Sequence, residues 1–307
     1  MSQYHRSVLE KEVMDLMIQD RESAYLDATL GGGGHTHSIL ERLGPGGTLI
    51  GLDRDPEAMA QCQAAFAADS RVHLHLAPFS RLGEYCAPSS LAGALFDLGV
   101  SSHQLDDRSR GFSFEPGTPL DMRMGPDVET TALEWLREAS EEELAECFRD
   151  NSDLEKPRFL ARRVKELLQE AVSPDSEILR QAVVDVYRPQ GPDRNRLLAR
   201  VFQAIRMRIN RETTEIREGL SAAVKALVRG GRLCVLSYHS VEDREVKETF
   251  RDFEKDCHCP PSLPVCVCGG GHRQLRKVIR KPLTASDKEV AENVRARSAK
   301  LRVMEKV

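Results

Sequence analysis

An α/β domain built on a parallel sheet, interrupted by a mainly helical insertion, is the fold class that this 307-residue sequence predicts. Three observations carry it. Strand-like and helix-like segments alternate through the first hundred residues, the pattern of βαβ units. The alternation then gives way to a loop-like and helical stretch of roughly ninety residues, an ordinary size for an inserted unit. A strand-like segment, Arg232 to Ser237, returns after Gly230 and Gly231.

Taken in order, Ala24 to Ala28 reads as a short strand running into the cluster Gly31-Gly32-Gly33-Gly34. His35 to Leu43 has helical spacing and stops at Gly44-Pro45-Gly46-Gly47, a strong breaker. Thr48 to Leu52 is a strand, and Pro56 to Ala68 a helix whose first turn accepts proline because that N–H has no helical partner. Val72 to Leu76 and Leu91 to Phe96 are strands, the second ending at Asp97. Gly111, Pro116, Gly117, Pro119 and Gly125 make residues 105–128 loop-like. From Thr130 to about Val186 the spacing is helical, with Ser140 as the N-cap of one helix and Phe159 to Ala171 forming another. After the linker Arg188 to Pro192, one long helix is expected from Asn195 to Val228, closed by Gly230 and Gly231. The domain boundaries expected from this pattern are 1–104 with 205–307 for the discontinuous α/β domain, and 105–204 for the insertion.

Composition narrows the function classes. Forty per cent hydrophobic and 30% charged residues suit a globular chain. No apolar run approaches the roughly 18 residues of a membrane span, and the polar start lacks a secretory core. Eight cysteines in a chain of this length without an export signal point to the reducing cytoplasm. The net charge of −4 conceals strong polarity along the chain. Residues 126–160 carry −7, whereas 188–211 carry +6 and 272–307 carry +7, with Arg outnumbering Lys by 33 to 11. Guanidinium-rich faces suit phosphate, although a solvated helix surface has the same composition.

The turn Asp27 to His35 lies between a strand and a helix, where glycines let a ligand approach helix N-terminal amides. A Walker loop requires Gly-Lys-Ser/Thr, but His35 follows Gly34. A dinucleotide fingerprint meets Thr36 or His37 where a third small residue belongs. An S-adenosylmethionine (SAM) site fits better: an acid on the first strand (Asp27), a glycine turn, and an acid closing the second strand (Asp53). A carboxylate there can accept hydrogen bonds from both ribose hydroxyls.

Eight blocks then match one family in order. They are His5-Arg-Ser-Val-Leu9, Gly33-Gly-His35, Leu52-Asp-Arg-Asp-Pro-Glu-Ala58 and Phe96-Asp-Leu-Gly-Val-Ser-Ser102, followed by Pro119-Leu-Asp-Met-Arg-Met124, Phe202-Gln-Ala-Ile-Arg206, Ser237-Tyr-His-Ser-Val-Glu-Asp-Arg244 and Arg295-Ala-Arg-Ser-Ala-Lys-Leu-Arg302. Together the sequence resembles the bacterial 16S, or small-subunit, ribosomal RNA cytosine-N4 methyltransferases. The resemblance implies a class I SAM-dependent methyltransferase (Rossmann-like) sheet with an inserted helical domain that recognises RNA. It further implies methylation of the exocyclic N4 of one cytidine near the decoding centre, with 16S rRNA or the small ribosomal subunit as partner. SAM contacts implied by motif are Gly33, Gly34, His35, Asp53, Phe79, Asp97 and Gln104. Tyr238 stands where Phe is usual and Val294 where Pro is usual.

For the chemistry, Asp97 at a strand end can serve the cofactor or the N4–H. Tyr238 can stack on a flipped base and His239 can relay the departing proton, or both can simply shape the strand end. Leu98-Gly99 after Asp97 disfavours the DNA amino-methyltransferases, which carry Pro-Pro-aromatic there. A DNA or small-molecule methyltransferase, or a SAM-binding assembly factor without catalysis, are the alternatives. Cys257, Cys259, Cys266 and Cys268 have the donors for zinc but only one residue between each pair, where two to four are usual, and the family implies no metal. Cys62, Cys86, Cys147 and Cys234 read as buried core residues. A membrane partner is not expected, and a homodimer is left open.

Overall fold

The computed structural model describes residues 7–257, 259, 260, 263 and 267–307. His5 and Arg6 of the first motif block, and Cys266 of the cysteine group, lie outside the described residues. In chain order the elements are α1 (Glu10–Met17), β1 (Ala24–Asp27), α2 (Gly34–Arg42), β2 (Thr48–Asp53), α3 (Pro56–Phe66), β3 (Val72–Leu76) and β4 (Leu91–Asp97). Six helices follow: α4 (Ser102–Asp106), α5 (Ala132–Glu138), α6 (Glu141–Ser152), α7 (Pro157–Glu170), α8 (Ser176–Tyr187) and α9 (Asp193–Ile209). The chain closes with α10 (Glu212–Ala226), β5 (Leu227–Ser237), α11 (Ser240–Glu254), β6 (Leu275–Lys277), α12 (Asp287–Glu292) and β7 (Lys300–Lys306).

Two compact units form. The first comprises residues up to Gly99 and those from Thr214 onward; the second runs from Val100 to Thr213. These divisions fall five and nine residues away from the expected 104/105 and 204/205.

The first unit holds a seven-stranded sheet in the order β3-β2-β1-β4-β5-β7-β6. β1 to β5 pair in parallel, and β7 pairs antiparallel with both β5 and β6. This is a Rossmann-like α/β sheet. Side chains alternate along its strands, so each face has its own core. Phe96, Leu233 and Val235 pack with Ile216, Leu220 and Val224 of α10 and Val246 and Phe250 of α11. Leu95, Cys234 and Leu236 on the opposite face pack with Val13, Met14 and Met17 of α1 and Ile39 of α2. Central strands covered on both faces explain the near-continuous apolar runs seen in Leu91 to Phe96 and Leu233 to Leu236.

The second unit packs α5 to α9 around Leu136, Phe148, Leu160, Leu179, Leu198, Val201 and Ile205. Capping boxes at Thr131 and Ser140 satisfy the first amides of α5 and α6. The single helix expected from Asn195 to Val228 is instead two. Asn210, fully buried, accepts from Met124 N (2.8 Å) and donates to Met122 O (2.7 Å). The side chain that ties down this loop terminates α9, and Arg211 follows with φ 52°. Glu212 then restarts the helix while accepting a paired bond from Arg206 (2.7 and 2.9 Å). Nor do Gly230 and Gly231 close that helix. α10 ends at Ala226, and the glycines sit in a bulge of β5, where pairing to β4 jumps from Leu91↔Leu227 to Gly93↔Arg232. Among the described residues no helix is long and apolar enough to cross a membrane.

Candidate active site

The strand order reverses at β1 and β4, and in open α/β sheets the crevice beyond the strand ends at such a switch point is where ligands bind. Three carboxylates stand there within the first unit, Asp27, Asp53 and Asp97, closing β1, β2 and β4. Gly31 (φ 50°) and Gly33 (φ 80°) take left-handed conformations that turn the chain from β1 into α2. Gly33 is the N-cap of α2, and a Cβ on it would stand 3.2 Å from the Cys62 sulfur and 3.1 Å from the Phe66 ring. The left-handed φ favours glycine at this position, and a Cβ would force Cys62 and Phe66 to give way.

The turn ties the ends of all three strands together. Asp53 Oδ2 accepts from Gly31 N (2.8 Å) and Oδ1 from Asp55 N (2.8 Å), which fixes the glycine turn to the end of β2. Asp27 accepts from Thr36 Oγ1 (2.7 Å) and from Thr29 N (3.2 Å). The Asp97 backbone N–H donates to Thr29 Oγ1 (2.7 Å), and Tyr238 OH donates to Asp97 Oδ1 (2.6 Å). Asp97 Oδ2 lies 3.6 Å from His35 Nε2.

Burial sets the electrostatics. It raises Asp27 and Asp97 to about 7 and Asp53 to about 6, with their hydrogen bonds opposing the rise. It pushes His35 down to about 4, so the imidazole is neutral at physiological pH. Neither His35 ring nitrogen has a hydrogen-bond partner among the described residues, although the side chain is only 5% exposed. A crevice with clustered, desolvated acids and an orphaned neutral imidazole suits a cationic, hydrogen-bonding ligand.

A family model described as the MraW methylase family matches residues 2–307. The chain belongs to the MraW methylase family. It is 40% identical over 313 residues to the ribosomal RNA small subunit methyltransferase H of Heliobacterium modesticaldum, covering 99% of both chains. To the protein of the same name from Myxococcus xanthus it is 42% identical over 306 residues, covering 99% of this chain and 97% of that one. Among solved structures, an rRNA methylase from Streptococcus thermophilus aligns over 97% of this chain and 93% of that one, at 12% identity and a TM-score of 0.43.

The remaining motif residues of this methylase fall as follows. Phe79 opens the short helix after β3 and meets Phe96 edge-on, with ring centroids 5.4 Å apart. Gly219 in α10 leaves the room for that ring, since a Cβ there would lie 2.5 Å from it. Gln104 belongs to the second unit, where its side-chain oxygen accepts from Ser101 N (3.0 Å) and its backbone donates to Ser101 Oγ (3.2 Å). Its side chain thus completes the capping box of α4.

His239 is the N-cap of α11. Its Nδ1 accepts from Glu242 N (3.3 Å), which makes the cap, and its Nε2 lies 2.9 Å from Glu242 Oε1. Glu242, completely buried, also accepts from Tyr238 N (2.9 Å). Thr29, Thr36 and Glu242 carry much of the site's architecture, yet a lone threonine or glutamate sends no signal of its own in a sequence. Asp243 turns away to Arg302 (2.8 Å) and Lys300 (3.0 Å); burial opposes its ionisation, but these cations outweigh it and hold its carboxyl below the usual range.

Proposed function

We propose that this chain transfers a methyl group from SAM to the exocyclic N4 of a cytidine in 16S rRNA, near the decoding centre of the small subunit, in the cytoplasm. The single observation that supports this best is the Asp97 carboxylate, fixed by Tyr238 and facing His35 at the switch-point crevice. SAM, when bound, supplies an electrophilic methyl on a sulfonium that leaves as a neutral thioether. The residues fit it: Gly33 and Gly34 present the start of α2, Asp53 can accept from ribose hydroxyls, and His35 has ring nitrogens to offer.

Cytosine N4 is a weak nucleophile because its lone pair is delocalised into the ring. In the proposed step N4 bonds to the methyl carbon as the carbon–sulfur bond breaks, and Asp97 accepts the N4–H that becomes acidic. Desolvation has already brought this carboxyl to about 7, close to the operating pH, where a general base works best. Tyr238 acts as a positioning residue, holding Oδ1 so that Oδ2 is presented. The base must be flipped from its stack to reach this atom.

Tritiated methyl transfer to small subunits from cells lacking this protein, followed by nucleoside digestion, tests the reading. Label in N4-methylcytidine is expected. Label in another nucleoside, or none with SAM still bound, would overturn it.

Tyr238→Phe gives a subtler check. Its hydroxyl lowers the Asp97 pKa, so its loss raises that pKa further. A carboxyl with a raised pKa is ionised only at higher pH, so the acidic limb of the turnover profile should move upward. A charge-assisted bond worth about 1.5 kcal/mol corresponds to a move of about one pH unit. SAM affinity above that limb should hold. A profile that does not move would remove Asp97 as the titrating base.

A further inference from the structure

Four of the cysteines, Cys62, Cys86, Cys147 and Cys234, are buried, as core cysteines normally are. Cys257, Cys259 and Cys268 depart from that habit. They sit on the loop joining α11 to β6, exposed or half-exposed, beside Val267 and Leu263, which also face solvent. Among the described residues they belong to no buried apolar cluster, yet their three sulfurs lie within 4.8 Å of one another.

The geometry is that of metal ligands. Cys257 Sγ and Cys268 Sγ are 3.6 Å apart, far beyond the roughly 2.05 Å of a disulfide. Four ligands at about 2.3 Å around a tetrahedral zinc place adjacent sulfurs about 3.8 Å apart. Backbone amides are aimed at the sulfurs: Cys259 N donates to Cys257 Sγ and Val267 N to Cys259 Sγ, both at 3.4 Å. Such N–H donors stabilise thiolates and orient them, as supporting groups around metal sites do.

The loop is anchored where it returns. Gly269, Gly270 and Gly271 all take positive φ, and Gly271 N donates to Asp256 Oδ1 (3.1 Å). Gln274 N donates to Phe253 O (2.8 Å) and Arg273 Nε to Glu254 O (3.2 Å), tying the far end to the last turn of α11. The arrangement lies in the first unit, on a different loop from the carboxylate crevice.

We propose that Cys257, Cys259 and Cys268 bind a soft divalent cation, zinc by preference, that clamps this loop to the end of α11. Binding forms three metal–sulfur bonds and releases the three thiol protons to solvent. The resulting centre carries one negative charge, and a further donor completes the tetrahedron.

The test uses the full-length, untagged protein, purified under reducing conditions without chelator. Elemental analysis should find about one zinc per chain, as a structural site retains its metal. The double variant Cys257→Ser/Cys268→Ser, checked for folding by circular dichroism, should lose it. Should that variant misfold, cobalt replacement in the wild-type chain gives an independent readout. Sulfur-to-cobalt charge-transfer absorption with intense tetrahedral ligand-field bands is the expected result. Substoichiometric zinc together with no thiolate band on cobalt addition would overturn the proposal. So would full zinc in the folded double variant, or a Cys257–Cys268 disulfide in protein taken from cells without reductant.

Discussion

Asp97→Asn should lower methyl-transfer turnover by about 10²–10⁴-fold, the range that a positioned general base contributes. The substitution keeps volume and keeps an oxygen for the Tyr238 hydroxyl, so the end of β4 should retain its shape. What it removes is the negative charge at the atom 3.6 Å from His35 Nε2. An amide can hold an amine by a hydrogen bond but cannot take its proton. Single-turnover transfer at saturating SAM, with Kd for SAM measured separately, isolates the step. A loss below about tenfold would be too small for a base in contact with N4 and would pass the proton to solvent.

Asp53→Ala should weaken SAM binding by about 10²–10⁴-fold. The carboxylate would accept from two ribose hydroxyls, and bonds to a charged group are worth about 1.5–3 kcal/mol each. The same side chain anchors Gly31 and Asp55, so truncation also leaves two amides without their acceptor. Asp53→Asn separates these effects: it retains one acceptor oxygen, should hold the turn better, and should still bind SAM more weakly than the wild type. Titration calorimetry run beside thermal unfolding reads both. Wild-type Kd in a folded Asp53→Ala protein would mean that the cofactor does not touch the end of β2.

The parts of this site that were legible beforehand share a property: each is a local chemical necessity. A chain can leave β1 for α2 this sharply only through left-handed glycines, so Gly31 and Gly33 announce themselves. Acids at the ends of otherwise apolar strands, Asp53 and Asp97, stand out because burial there is expensive. Gln104 carried no comparable signal, because a glutamine that closes a capping box reads the same as one that meets a ligand. His239 is similar: the motif marks it, but only the tertiary structure makes it the N-cap of α11.

By itself, the sequence determined the Rossmann-like class, the family, the glycine turn and its acids, because alternation, backbone sterics and charge burial act over a few neighbouring residues. Tertiary structure decided what depends on residues far apart in the chain. Asn210 ends α9 because of a loop some eighty-eight positions earlier, through its bond to Met122. Glycines that read as a helix stop became a bulge because β4 lies alongside. Tyr238 reaches Asp97 across 141 positions. Cys257, Cys259 and Cys268 bring their sulfurs within 4.8 Å of one another, with the Cys259 and Val267 amides donating to two of them. For Asn210 and Asp97 a polar side chain taken out of water had to find its partner in space, and no local rule of sequence names that partner.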